Sequence, residues 1–368
     1  MNILLLTERL GSRSGWERYA TELVRALQLK GNNVFVLCAE ENQEIGDIPQ
    51  TAVLPPALSS RRWYFLSWLY AIRSRQLLHE KNFVPDIIHS IVEPYACITH
   101  KLAKDLQRPY FITAHGSYAV RPFLSSVYRA GVARAYRAAK AVICISRYTE
   151  QQVKRYVPDA PTVVIPNGVT FSEGKNQDVV REQLILSVGI IKERKGYLQL
   201  LRALPRVREK VPGATLAIVG DRTNDAAYVE QLDAFIKENQ LESMIQFKGK
   251  VSDAELNSLY ETARVFALTP VSTQRSFEGF GLVYLEANAH GMPVIGSYGN
   301  GGEDAIIEGQ SGFLVHVDNP EEIADRIISL LTMPQQDYTR MSDSAYAHAR
   351  KFSWGRVVEE YEKVYENV

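Results

Sequence analysis

Phe277-Glu278-Gly279-Phe280-Gly281-Leu282-Val283-Tyr284-Leu285-Glu286-Ala287 reads as a glycine-rich turn that runs into a helix. Gly279 and Gly281 let the main chain approach a ligand closely. The helix start around Phe280, Gly281 and Leu282 offers unpaired N–H groups and a favourable dipole to a phosphate. Glu278 sits in the turn and Glu286 about two helical turns further on, so the two are expected to reach one cleft from different heights. Ionised carboxylates accept paired hydrogen bonds from neighbouring hydroxyls, the pattern a hexose or a ribose presents. Taken alone, the same residues also fit a capped surface helix with a solvated glutamate.

Around this stretch, short apolar runs alternate with amphipathic segments. Leu184 to Val188, Thr215 to Val219, Ile245 to Phe247, Val265 to Leu268, Pro293 to Ile295 and Phe313 to Val315 read as buried parallel strands. An earlier series has the same rhythm: Ile3 to Leu6, Val34 to Leu37, Ile87 to His89, Tyr110 to Thr113, Ala141 to Ile145 and Val163 to Ile165, with helical spacing over Trp16 to Leu29 and Val127 to Ala139. Strand-helix alternation of this kind predicts doubly wound α/β sheets. The polar stretch Ser172 to Gln183 has no apolar period and reads as a linker. The expected division is therefore residues 1–175, residues 176–352, and a final amphipathic helix, 353–368, packing back on the first domain.

The chain has 368 residues, more than one compact core usually holds, which agrees with two domains. Lys plus Arg and Asp plus Glu both number 42, so no overall field draws the chain to nucleic acid. Up to Lys175 there are 22 basic residues against 14 acidic, leaving 20 against 28 beyond it, so the first half is the basic one. Cys38, Cys97 and Cys144 are far apart and suggest neither a disulfide framework nor a zinc site. Glu8 and Arg9 interrupt the apolar opening too early for a signal peptide, and no apolar run reaches the roughly 20 residues a membrane helix needs. A cytoplasmic chain, soluble or peripheral at the inner face of a membrane, is expected.

Glu278 and Glu286, separated by seven residues around Gly-Phe-Gly, resemble the E-x7-E signature of the family-4 retaining glycosyltransferases of GT-B fold. The resemblance covers nearly the whole chain in the family's order. It implies two Rossmann-like domains facing a cleft, with Glu278 on donor-sugar hydroxyls and Glu286 on the nucleotide ribose. Val188-Gly189 followed by Lys192-Glu-Arg-Lys195-Gly196 is similar to the family's diphosphate-binding loop, which makes Lys195 and then Arg194 the candidate cations. Many members carry Arg directly after the first glycine; here that position is Ile190. Ile165-Pro-Asn167-Gly168-Val169 resembles the "PNGVD" segment, where Asn167-Gly168 is expected to turn the chain.

Thr113-Ala-His115-Gly116 is similar to the family's "T-x-H" segment, which assigns His115 to the donor sugar; a lone histidine after a strand is otherwise often structural. Gly11-Ser-Arg-Ser-Gly15-Trp16 resembles the "GG" loop, with Gly15 kept and Trp16 in place of the other glycine. It lacks the GxGxxG pattern of nicotinamide binders. Gly299 to Glu303 and Glu308 to Val315 follow the family's order after the signature helix.

The resemblance implies transfer of a hexose-type sugar from a UDP-, GDP- or ADP-sugar to a saccharide or lipid-linked acceptor, in cell-envelope or polysaccharide synthesis. The anomeric configuration is retained, and the departing phosphate helps take the acceptor proton. No cofactor is expected beyond the nucleotide-sugar co-substrate. No Asp-x-Asp triplet occurs, which suits metal independence. The other readings are a different GT-B chemistry, such as an epimerase or phosphorylase, and a non-catalytic sugar-nucleotide-binding subunit. The basic aromatic segment 61–75, with Arg129, Arg134, Arg137 and Lys140, fits either a buried helix with snorkelling arginines or a lipid surface.

Overall fold

A computed structural model describes residues 1–12, 14–57, 66–171 and 181–367. The chain divides into two compact units, Met1–Gly168 with Trp354–Val368, and Val169–Ser353. The first division therefore falls before Val169 and not at 175/176, while the last helix belongs to the first unit.

The first unit is built on seven strands: β1 (Asn2–Leu6), β2 (Asn33–Cys38), β3 (Gln50–Ala52), β4 (Ile87–Ser90), β5 (Tyr110–Ala114), β6 (Ala141–Cys144) and β7 (Thr162–Val164). They form one parallel sheet in the order β3-β2-β1-β4-β5-β6-β7. The second unit has β8 (Glu182–Val188), β9 (Thr215–Val219), β10 (Ile245–Gly249), β11 (Ala263–Ala267), β12 (Val294–Ser297) and β13 (Gly312–Val315). These are also parallel, ordered β10-β9-β8-β11-β12-β13. Continuous burial of Ile3 to Leu6 and Leu184 to Ser187 suits strands covered on both faces. Both sheets are Rossmann-like, and in each the strand order reverses beside the first strand. Ligands bind open α/β sheets at that reversal, outside the carboxyl ends of the strands.

Sequence and structure differ mainly at ends and edges. The helix expected over Val127 to Ala139 is Arg129–Ala138. The edge strand β3 has no apolar run to reveal it, since Gln50, Thr51 and Ala52 are half-buried or exposed. No hydrogen-bonded turn forms at Asn167-Gly168. Gly168 instead lies beneath Trp354, where a β-carbon would sit 2.3 Å from the indole.

Trp354–Glu366 joins the core of the first unit through Val357, Val358, Tyr361 and Tyr365, against Tyr19, Leu23 and Val24 of the helix Gly15–Leu29. Its buried polar tips are partnered: Tyr361 and Tyr19 share a hydroxyl hydrogen bond, and Tyr365 Oη lies 2.6 Å from His89 Nδ1, whose Nε2 is 2.8 Å from Thr113 Oγ1. Satisfied groups of this kind fix one docking geometry where an apolar face alone would slide.

Among the described residues no helix is long and apolar enough to cross a membrane. Residues 61–65 of the basic aromatic segment, most of the stretch 172–183 and Arg13 lie outside the described residues. The remainder of the basic segment is the helix Ser67–Glu80, on which Trp68 is 52% and Ile72 41% exposed. That face is open, not buried.

Candidate active site

In the second unit the chain leaves the carboxyl end of β8 through Gly189 and tightens into a 3-10 turn, Glu193–Lys195. Gly196 ends the turn with φ 71°, and a β-carbon there would lie 1.7 Å from Thr269 O, just beyond β11. No L side chain tolerates both the left-handed backbone and that approach. Thr269 Oγ1 donates to Gly196 O at 2.9 Å, locking the turn to the neighbouring central strand. Arg194 and Lys195 are therefore presented at the β8/β11 reversal.

The glycine-rich turn meets them there. Gly281, at φ 74°, caps the helix Leu282–Ala289 beneath the Tyr284 ring. Tyr284 Oη in turn donates to Leu268 O at 2.8 Å. The helix begins at Leu282, so Glu286 lies about one turn inside it and not two turns beyond the acid in the loop. Phe280 is buried, Gly279 is buried in the turn, and Leu282 and Glu286 share a half-buried face.

Lys195 Nζ and Arg194 Nη1 both donate to Glu278 Oε2, each at 2.7 Å. Oε1 makes no hydrogen bond among the described residues. Burial alone would raise the Glu278 pKa, but the two cations outweigh it and hold the carboxyl down at about 2. Burial works against the charge on Lys195 and lowers its pKa, opposed by Glu278 and, more weakly, by Glu286. The ionised pair is the state the geometry favours, since both charges keep a short, charge-assisted bond. Glu286 acts on the same lysine, which places all four groups in one electrostatic neighbourhood.

Tyr260 Oη donates to Glu286 Oε2 at 3.0 Å, and Gly301 N–H donates to Glu278 O at 2.9 Å. Asn300 braces that last loop, accepting from Gly302 N–H at 2.8 Å and donating to Ser297 O at 2.7 Å. Sequence reasoning left Tyr260 and Thr269 out. Neither belongs to a glycine turn or a charge pattern, and only the fold brings them to the site.

In the first unit, His115 follows β5 and Gly15 opens the helix after β1, again beyond carboxyl strand ends. His115 Nε2 donates to Ile91 O at 2.7 Å, and its main-chain N–H donates to Glu93 Oε1. Burial lowers its pKa to about 4, against the bond to Ile91, so the ring is neutral with its proton on Nε2 and Nδ1 left as an acceptor. Tyr19 packs edge-on at 4.5 Å and Trp16 lies 6.5 Å away. Nothing lies within 4 Å of a β-carbon built on Gly15, so packing does not require glycine there. Glu93, after β4, was also missed; a single acid inside the apolar run Ile87 to Ile98 was the available signal.

Two family descriptions match adjoining parts of the chain: "Glycosyltransferase Family 4" over residues 13–173 and "Glycosyl transferases group 1" over residues 170–348. The chain is a family-4 glycosyltransferase of GT-B fold.

This glycosyltransferase is 26% identical over 89% of its length to a GDP-mannose-dependent alpha-(1-6)-phosphatidylinositol monomannoside mannosyltransferase of Mycolicibacterium smegmatis, covering 87% of that chain. It is 28% identical over 77% of its length to a glycosyltransferase of Methanocaldococcus jannaschii, covering 76% of that chain. The crystal structure of Anabaena HepE in complex with UDP and glucose superposes over the full length of both chains, with a TM-score of 0.79 at 20% identity, a likeness of fold.

Proposed function

We propose that this glycosyltransferase moves a hexose-type sugar from a nucleotide-diphosphate donor to an acceptor hydroxyl with retention of the anomeric configuration. The observation that carries the reading is the convergence of Arg194 and Lys195 on one oxygen of Glu278 beside the start of the helix Leu282–Ala289. Lys195 keeps two ammonium protons for the diphosphate. The first-turn amides of a helix add donors and a favourable dipole. Together they stabilise the charge that builds on the leaving group, an interaction strongest in the transition state.

Glu278 Oε1 accepts from donor-sugar hydroxyls and Glu286 accepts from the ribose, while His115, with Nδ1 as its acceptor, keeps the donor-sugar role that the family resemblance implies. Gly189, Gly279, Phe280, Gly281 and Leu282 shape the donor site, with Gly15 in the first unit as a weaker contributor. Glu278, held ionised at about 2, has no proton to give as a general acid. The bond from the anomeric carbon to the diphosphate oxygen breaks as the acceptor oxygen bonds the same face, and the acceptor proton passes to the departing phosphate. No metal is required, since the two cations take the place of one.

A UDP-, GDP- or ADP-sugar is the donor class. The Mycolicibacterium relative is named for GDP-mannose and the Anabaena structure holds UDP and glucose. The acceptor is a glycan or a lipid-linked saccharide of the cell envelope. Exposed Trp68 and Ile72, with Arg73 and Arg75 on the same helix, would meet an anionic inner membrane leaflet from the cytoplasm. The deciding experiment offers the three donors with an acceptor panel and reads nucleotide release and the product by proton NMR. Acceptor-dependent release and a product with the donor's anomeric configuration are expected. An inverted anomer, or turnover without acceptor, would overturn the reading.

A further inference from the structure

Glu93 opens the 3-10 turn Glu93–Tyr95 after β4 and is 3% exposed. Oε1 accepts the main-chain N–H of His115, while Oε2 is buried with no hydrogen-bond partner. The same segment holds the His115 ring through Ile91 O. Residues 91–93 thus grip His115 at both its main chain and its side chain.

Among the described residues no cation balances this carboxyl. The titratable groups facing it are His115 after β5 and the Cys144 thiol ending β6. Burial keeps His115 uncharged, and burial pushes the thiol far above its ordinary range. The helix Ser117–Val120, packed on the turn, has no charged side chain. The helix Ala96–Leu106 carries Cys97, His100, Lys101, Lys104 and Asp105, and none of them acts on Glu93. An ionised carboxylate here would keep its charge on a dry, unpartnered oxygen, which is costlier than leaving one neutral O–H unmatched. Burial accordingly raises the Glu93 pKa to about 8, against two backbone N–H bonds.

We propose that Glu93 is a positioning residue that works as an uncharged acid, its carboxyl oxygen fixing His115 so that the ring keeps Nε2 on Ile91 and Nδ1 open. Ionisation breaks the grip, because a charge at Oε2 is relieved only by water entering between residues 91–93 and His115. Oε2 is closed to solvent, so Glu93 acts through His115 and does not touch substrate. The inference rests on the reading of His115 as a contact to the donor sugar.

The test compares the wild type with Glu93→Gln, which keeps an acceptor oxygen and cannot ionise, and with Glu93→Ala, which removes the grip. Wild-type kcat is expected to fall as pH rises through about 8, whereas E93Q stays flat to pH 9.5. E93A should lose roughly tenfold at pH 7, a gap to the wild type that closes as pH rises past 8, and E93Q should recover most of that loss at pH 7. A readout independent of turnover is the imidazole nitrogen spectrum of histidine-labelled full-length protein, with the His115 signal assigned by its loss in His115→Gln. The Nε2-protonated pattern should change above pH 8 in the wild type and persist in E93Q. A wild-type His115 signal unchanged from pH 7 to 9.5, or the same alkaline limb in E93Q, overturns the proposal. If the signal changes as expected while His115→Ala keeps full activity, the positioning by Glu93 stands and the donor-sugar role of His115 falls.

Discussion

Lys195 Nζ lies 2.7 Å from Glu278 Oε2, on the same oxygen that takes Arg194 Nη1. One carboxylate oxygen thus orients both cations, and Oε1 pairs with neither of them. The residues come from loops following two adjacent central strands, pinned to each other by Gly196 against Thr269.

Lys195→Ala removes a positive charge aimed at the leaving group. Turnover should fall by about 10²–10³-fold, the loss typical of deleting one donor to developing charge. Donor KM should move much less, since the contact acts mainly in the transition state. Steady-state kinetics with saturating acceptor check this.

Tyr260→Phe removes the hydroxyl that donates to Glu286. One hydrogen bond to a charged group is worth roughly 1.5–3 kcal/mol. If Glu286 holds the ribose as proposed, alike in the ground and transition states, donor KM should rise with kcat nearly unchanged. A fall in kcat with constant KM would place Glu286 in the chemistry instead.

The Glu278 pKa is lowered to about 2, below its unfolded value of 4.5, so its ionised form favours the folded state. That stability is present above pH 4.5 and is lost as pH falls toward 2. In urea unfolding, the stability gap between the wild type and Glu278→Gln should be constant from pH 7 to 4.5 and narrow below it. A gap that narrows near neutrality would mean the pairing is weaker than its geometry implies.

Gly196→Ala places a methyl group where Thr269 O already lies and forces a left-handed backbone on alanine. A strained special backbone position of this kind costs about 1–3 kcal/mol, and the clash adds to it. Thermal melting should show a clearly destabilised protein, and residual folded enzyme should have lost donor affinity. Gly15→Ala, with open space beside it, should melt like the wild type.

If Arg194 and Lys195 supply the positive charge that a divalent ion would otherwise bring, as proposed, activity should survive EDTA at full rate. Strict dependence on added Mg²⁺ would contradict that substitution.

Much of this was legible in the residues. Buried runs such as Leu184 to Ser187 mark strands because nothing polar interrupts them, and Gly281 marks a helix start because its positive φ admits few other residues. Glu278 and Lys195, 83 positions apart, were paired only through the family pattern; their sharing of one oxygen depends on β8 and β11 being neighbours, which no local period encodes. Glu286 was placed one turn too far along because the turn runs on to Gly281 before the helix begins. Asn167-Gly168 looked like a turn, yet the glycine is there for Trp354, nearly 190 residues later. Glu93 went unnoticed because an acid in an apolar run acquires meaning only from its partner, the His115 amide.

The most direct measurement is a thermal-shift titration of the wild type, Lys195→Ala and Glu278→Gln with a nucleoside diphosphate and with the corresponding nucleotide sugar, taking the base that stabilises the wild type most. Lys195→Ala should bind the nucleoside diphosphate, which carries the leaving group's full charge, more weakly and the nucleotide sugar nearly as before, while Glu278→Gln should keep its affinity for the nucleoside diphosphate and lose the added stabilisation from the sugar. Wild-type affinity for both ligands in both variants would show that this ion-paired cluster does not hold the donor.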